Sequence, residues 1–252
     1  MPENTVPFII SARWIAPVIP EGVLLENHSL VIRGNEIIDL MDSHDAREKY
    51  PDSPVTELGS HIVTPGLVNA HGHAAMHLLR GYADDRELMD WLQNYIWPVE
   101  GKMVDWQFVY DGATLAVAEM VRTGTTCAAD LYFFPEATAQ AFSDHKFRGQ
   151  VGMPVLEFPS AWAADEDDYI HKGLEFRDDH VKNNPLITTA FAPHSPYTVS
   201  DRGFERILVY SEELQVPIHL HLHETAAEVS EAVQQTGKRP FARMADLGLL
   251  SP

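Results

Sequence analysis

A chain of 252 residues, 45% apolar and 22% charged, has the composition of a globular protein and the length to bury a substantial core. Its net charge of −19 argues against nucleic acid or an anionic membrane as partner, because either would want a basic patch. The one cysteine, Cys127, excludes an internal disulfide and fits a reducing cytoplasm, the expected location.

The first residues carry no basic segment followed by an apolar one, and no apolar run approaches a membrane span, so neither a secretory signal nor a membrane anchor is expected. Residues 7–40 read as short strands: Pro7–Val18, Val23–Arg33, a turn at Gly34-Asn35, then Glu36–Leu40. A short polar helix over Asp42–Tyr50 and a loop at Pro51–Pro54 follow. Residues 1–60 therefore read as a small β-unit.

Residues 62–70 read as the first buried strand of a second domain, 61–252, and it ends in His71-Gly-His73. On a strand the i, i+2 spacing puts both imidazoles on one face. Two neutral nitrogen donors there are two-thirds of the three-ligand set of a catalytic zinc site. The long connection Ala74–Val104, with Trp91 and Trp97, exceeds an ordinary βα loop and reads as a lid or pocket wall. Alternation then sets in: helix 111–123, strand 125–131, helix 135–147 stopped by Gly149, strand 151–156, helix 166–182 and strand 186–192. Helix 201–214, capped by Ser200, leads to strand 216–222, helix 224–235 and a short helix near 240–247. Strands alternating with helices imply parallel βαβ units. Five strands are counted, three short of a closed (β/α)8 barrel.

The fifth strand carries His219, His221 and His223 at period two, with Glu224 next in the chain. On a barrel strand that face points inward, and its C-terminal end lines the active site. Zinc held by neutral imidazoles lowers the pKa of bound water towards about 7, and a neighbouring carboxylate can take the proton. No Gly-x-Ser-x-Gly elbow, P-loop or Gly-x-Gly-x-x-Gly supports a competing enzyme class.

The string Thr64-Pro-Gly-Leu-Val-Asn-Ala-His71-Gly-His73 resembles the strand-one signature of the amidohydrolase superfamily. The resemblance implies an α/β fold, an amidohydrolase-type (β/α)8 TIM barrel, beside a composite β-sandwich to which residues 1–60 contribute. It implies His71, His73 and His221 as ligands of one divalent metal, most simply Zn2+, and Glu224, three residues after His221, as proton shuttle. His219 falls a layer deeper, and His223 is unassigned. The segments His77-Leu-Leu-Arg-Gly-Tyr-Ala-Asp-Asp, Trp91-Leu and Trp97-Pro-Val-Glu100 resemble the loop after strand one in 5-methylthioadenosine/S-adenosylhomocysteine deaminases. There the residue matching Trp91 walls the purine pocket and the one matching Glu100 binds ribose hydroxyls. By chemistry alone, Trp91 could equally anchor a packed lid and Glu100 be a solvated helix-end charge. Ala192-Pro-His194-Ser-Pro-Tyr197 resembles that family's substrate-contacting histidine segment. A binuclear member would want a lysine near His194, so one metal is expected.

The activity implied is metal-dependent hydrolytic deamination of a 6-aminopurine nucleoside: 5-methylthioadenosine, S-adenosylhomocysteine or adenosine. Guanine, pterin and chloro-triazine hydrolases are the alternatives within the superfamily. Two departures stand out. Val155–Trp162 offers none of the arginines that family members turn towards a homocysteine tail, which favours methylthioadenosine. The family's strand-six histidine and strand-eight aspartate also have no counterpart. The expectation is therefore the N-terminal portion of a longer deaminase, inactive as an isolated 252-residue chain. The competing expectation is a non-catalytic metal-binding fragment completed by a partner. A homo-oligomer is left open.

Overall fold

The computed structural model describes residues 6–182 and 184–250. The chain divides into two compact units between Gly66 and Leu67.

The N-terminal unit is a four-stranded sheet. It comprises β1 (Phe8–Ile15), β2 (Leu25–Arg33), β3 (Glu36–Asp42) and β4 (Val55–Val63), with helix α1 (Ser43–Lys49) between the last two. The order is β3-β2-β1-β4, antiparallel except for the parallel pair β1–β4. Gly34, at φ +63°, supplies the left-handed residue in the turn between β2 and β3. Ile9, Val31 and Ala46 pack as its core, and the Asp42 side chain caps α1 by accepting the His44 N–H. The expected boundary at residue 60 is too early. β4 runs on beside β1 to Val63, whose carbonyl accepts the Ala16 N–H at 2.9 Å. Gly59 and the mostly exposed side chains of β4 hid this strand from a reading based on alternation.

The second unit is built on the parallel sheet β5 (Leu67–Gly72), β6 (Thr125–Asp130), β7 (Arg148–Val155) and β8 (Ile187–Pro193), in that order. After β5 come a 3-10 turn at Ala74–Leu79 and helix α2 (Leu88–Trp91). α2 passes through a wide turn at Leu92–Ile96 into α3 (Trp97–Met103). Helices α4 (Trp106–Arg122), α5 (Pro135–Asp144), α6 (Glu166–Phe176) and α7 (Asp201–Leu214) separate the later strands or follow them. The short helices α8 (Ala226–Thr236) and α9 (Pro240–Asp246) come last. Phe142, Met153, Tyr169, Phe191 and Phe204 fill the space between sheet and helices. Asp105, Asp165, Ser200 and Thr225 each accept a first-turn N–H, so four helix starts are locked by side chains, that at Ser200 as expected; the Asp105 cap starts α4 at Trp106 rather than at residue 111.

Three expected elements change. Residues 62–70 are not one strand: Pro65-Gly66 separates β4 from β5, and Leu67 and Val68 are 62% and 67% exposed, with β5 the outermost of the four described strands of this sheet. Helix α5 stops at Asp144, and Gly149 lies inside β7, where a Cβ would come within 2.3 Å of the Phe142 ring. The fifth strand, 216–222, is reduced to a single parallel bridge, Phe191 to Ile218. The backbone still runs beside β8: the Phe191 N–H donates to Pro217 O, and the His219 N–H to Phe191 O. The next rung would need an N–H from Pro193, which has none, and the His221 N–H steps across to His194 O at 3.1 Å. An interrupted ladder is the result, yet the chain direction survives.

Helix α4 lies so close to the turn after His73 that a Cβ on Gly112 would sit 2.3 Å from Ala75 O. Gly112→Ala should therefore cost about 1–3 kcal/mol by overpacking, read as a lower urea midpoint with unchanged slope. An unchanged midpoint would show that this contact can relax freely.

Candidate active site

The carboxyl ends of the parallel strands converge on one cavity of about 330 Å³. His71, His73, Trp91, Glu100, His194, His221 and Glu224 all line it, so every residue given a site role in the sequence borders the same space, while His219 and His223 stand outside it. Leu131, Tyr132 and Phe133 follow β6, Leu156 and Phe158 follow β7, and Tyr197 follows β8. The long connection after β5 supplies Met76, Leu88, Leu92, Ile96 and Trp97, which makes it the pocket wall anticipated from its length.

At one end three imidazoles form a cluster whose donor atoms lie within 4.8 Å of one another. His73 Nδ1 is 2.5 Å from Leu131 O, and His221 Nδ1 is 2.7 Å from His194 O. A carbonyl only accepts, so both Nδ1 atoms carry the proton and both Nε2 atoms keep a lone pair. Those two Nε2 atoms face each other at 3.2 Å. Burial, the main cause, pulls the pKa of His73 from 6.5 to about 4, so at neutral pH it carries no second proton to bridge the pair. His71 stands edge-on to both rings, with its Nδ1 3.1 Å from His219 Nε2. His219 is therefore the outer support of His71, in keeping with its deeper position on the strand.

Around this cluster the polar groups are tied down. His223 adopts φ +59°, the left-handed turn that carries the chain from His221 to Glu224. The Glu228 carboxylate holds that turn by accepting the N–H groups of His223 and Glu224 at 3.1 and 2.6 Å. His223 itself accepts the Phe241 N–H and packs on that ring, a structural role. His194 Nδ1 lies 3.0 Å from Thr198 Oγ1 and 3.2 Å from Ser195 Oγ, and burial pulls its pKa down to about 3. Glu100 is no solvated helix end. It accepts the Tyr132 hydroxyl at 2.6 Å, and burial pushes its pKa up against that bond.

The Amidohydrolase family's sequence profile matches residues 62–252. The chain belongs to the amidohydrolase family. It is 50% identical to a 5-methylthioadenosine/S-adenosylhomocysteine deaminase of Saccharophagus degradans, over 97% of this chain and 54% of the relative. It is 46% identical to the enzyme of that name from Teredinibacter turnerae, over 99% and 56%. An adenosine deaminase structure from Xanthomonas campestris, with bound zinc, superposes with a TM-score of 0.94 at 45% identity, over 97% of this chain and 55% of that one. An atrazine chlorohydrolase from Arthrobacter aurescens shares the fold with a TM-score of 0.86 at 17% identity. The chain spans about half the length of the curated relatives it matches.

For an amidohydrolase chain the donor set fits a divalent metal. Two lone pairs pinned towards each other, with a third imidazole beside them, suit zinc or another borderline ion. Among the described residues, no helix is long and apolar enough to cross a membrane.

Three supporting residues were not singled out in the sequence. Glu228 had a signal, the Thr225-x-x-Glu228 capping pattern, with the Thr225 hydroxyl accepting the Glu228 N–H at 3.1 Å. Tyr132 had only its place at a strand's carboxyl end. Asp130 had none. It is buried, accepts the Ala74 N–H at 2.5 Å and the Thr138 hydroxyl at 3.2 Å, and so fixes the backbone directly after His73.

Burial raises the pKa of Asp130 from 3.8 to about 6, outweighing both hydrogen bonds. The native state then holds a proton that the unfolded chain has released, so this group's stabilisation is full below pH 3.8 and is lost as pH rises through about 6. Asp130→Asn keeps the acceptor for Ala74 and removes the titration. Across that interval its urea midpoint should gain relative to that of the unaltered protein, whose difference from the variant changes by the contribution of this one group. Parallel curves for the two would contradict this assignment.

Proposed function

We propose that this chain belongs to an enzyme that deaminates a 6-aminopurine nucleoside by hydrolysis, with one divalent metal, zinc, held by His71, His73 and His221. The observation that carries the reading is the meeting, in one cavity, of that imidazole cluster, a free carboxylate and an aromatic wall. The cavity lies within the usual size of small-molecule sites. The 50% identity to a deaminase named for 5-methylthioadenosine and S-adenosylhomocysteine supports it, as does the zinc-bound adenosine deaminase at 45%. The remaining strands of a closed barrel, and of a β-sandwich around the N-terminal sheet, belong to the proposal too.

A metal bound at the three imidazoles supplies a Lewis acid that acidifies water at neutral pH. Glu224 is the proton carrier: it takes one proton of the water that adds at the ring carbon and delivers it to the ring nitrogen, then carries the second, from the hydroxyl so formed, to the amine, which departs as ammonia as the carbonyl forms. His194, neutral because burial holds its pKa near 3, contacts the purine through the imidazole edge not engaged by Thr198. Trp91 walls the base. Glu100, oriented by Tyr132, accepts the ribose hydroxyls, two donors that a buried carboxylate would otherwise lack. The acidic surface and the small apolar cavity suit a small-molecule substrate rather than nucleic acid.

The test is ammonia release by the zinc-loaded enzyme of full length, the whole protein to which this chain is proposed to belong, from adenosine, 5-methylthioadenosine, guanine and a chloro-triazine, with chloride read separately for the last. Turnover of the adenine nucleosides is expected. Glu224→Gln should lower kcat by about 10²–10⁴ while zinc content stays at one per chain, and His73→Ala should lose the zinc. Turnover confined to guanine or the triazine would keep the metal centre and overturn the substrate. Zinc retained by His73→Ala would overturn the ligand set.

A further inference from the structure

One carboxylate, that of the buried Glu228, grips the turn between His221 and Glu224. We infer that Glu228 is a positioning residue for the reaction: it holds the backbone of Glu224 so that the proton carrier stands at a fixed place beside the imidazole cluster. Its loss slows proton transfer and leaves substrate and metal binding in place. The inference rests on Glu224 as the proton carrier in the reading above.

The geometry begins at His221. Its backbone N–H and its Nδ1–H both go to His194 O, at 3.1 and 2.7 Å, so this end of the segment is fixed. Further along, Glu224 borders the same cavity. Between them His223 stands at φ +59°, a left-handed backbone that is costly for a residue with a side chain and persists only where its surroundings impose it. Two contacts impose it here. The His223 ring accepts the Phe241 N–H at 3.2 Å and stands edge-on to the Phe241 ring, 4.4 Å between centroids. Glu228 Oε1 accepts the His223 N–H at 3.1 Å, and Oε2 accepts the Glu224 N–H at 2.6 Å.

The pattern differs from an ordinary helix cap. In a capping box the carboxylate at the third helical position returns to the N–H of the cap residue, which here is Thr225. Glu228 passes Thr225 by and takes the two N–H groups before it, while its own N–H goes to the Thr225 hydroxyl at 3.1 Å. Thr225 thus serves the helix, and the carboxylate serves the turn. A side chain that takes up and gives away protons must keep its own oxygens exchangeable, so its backbone is the part that can be held still. A misplacement of about 1 Å at a reacting group is enough to cost on the order of 10²-fold in rate. Glu228→Gln keeps the size of the side chain but leaves one oxygen for two N–H donors and turns an amide N–H against the other.

The test is a double-mutant cycle of Glu228→Gln and Glu224→Gln in the zinc-loaded enzyme of full length, run on whichever of the adenine nucleosides, guanine or chloro-triazine it turns over. Glu228→Gln alone should lower kcat by about 10–100-fold, with KM within about threefold and zinc still one per chain. In the Glu224→Gln background, where the proton carrier is already lost, the same substitution should lower kcat by less than about threefold. Amide hydrogen exchange at His223 and Glu224 should be at least about tenfold faster in Glu228→Gln. An unchanged kcat would overturn the inference, and so would an equal loss in both backgrounds, the mark of a general loss of fold or metal. Unchanged exchange at the two amides would overturn the holding of the turn. Turnover confined to guanine or the triazine would overturn the nucleoside reading, while the cycle on that substrate still decides this one. Silence on every substrate would overturn both readings together.

Discussion

Two backbone carbonyls, Leu131 O and His194 O, decide what this chain can do. Each accepts an Nδ1–H from one histidine, which removes the choice of tautomer and turns two Nε2 lone pairs towards one point. Two neutral acceptors 3.2 Å apart repel unless something positive lies between them, and burial has made protonation of His73 expensive. The arrangement is therefore poised for a cation. Leu131 follows β6 and His194 follows β8, so the orientation of these imidazoles depends on the register of the parallel sheet. The sheet acts through its carboxyl ends, where β6 and β8 supply acceptors and β5 supplies His71 and His73. The fifth segment supplies His221 and Glu224, despite a ladder broken by Pro193.

The same economy extends to the rest of the cavity. Asp130 fixes the backbone after His73, Glu228 fixes the turn before Glu224, and Tyr132 fixes Glu100. Three places in the cavity wall are thus backed by a buried or partly buried polar partner: the backbone after His73, the turn before Glu224, and the Glu100 carboxylate. Rigid support of this kind keeps reacting groups within the narrow tolerances that catalysis needs. Helix α4 presses on the turn after His73 through Gly112, where a Cβ would meet Ala75 O at 2.3 Å, and so couples helix packing to the imidazole cluster.

How much of this could be read from the residues alone depends on whether the signal was local. The His-x-His pair and the His221–Glu224 spacing are local, and so was the cap at Ser200. Trp91, Glu100 and His194 came from likeness to relatives, and the structure brings all three to the cavity. What stayed hidden was tertiary. β4 shows little alternation because most of its side chains are exposed, so its pairing with β1 could not be anticipated. The bond between Tyr132 and Glu100 spans 32 positions, and no periodicity announces it.

The central claim is that preset imidazoles hold a single metal. X-ray absorption at the zinc edge, on protein loaded to saturation and dialysed, tests it most directly. The account predicts one tightly held zinc with imidazole nitrogens at about 2.0–2.1 Å, and a first shell that loses imidazole scattering in His221→Ala. A shell made only of oxygen, or one left intact by that substitution, would contradict it.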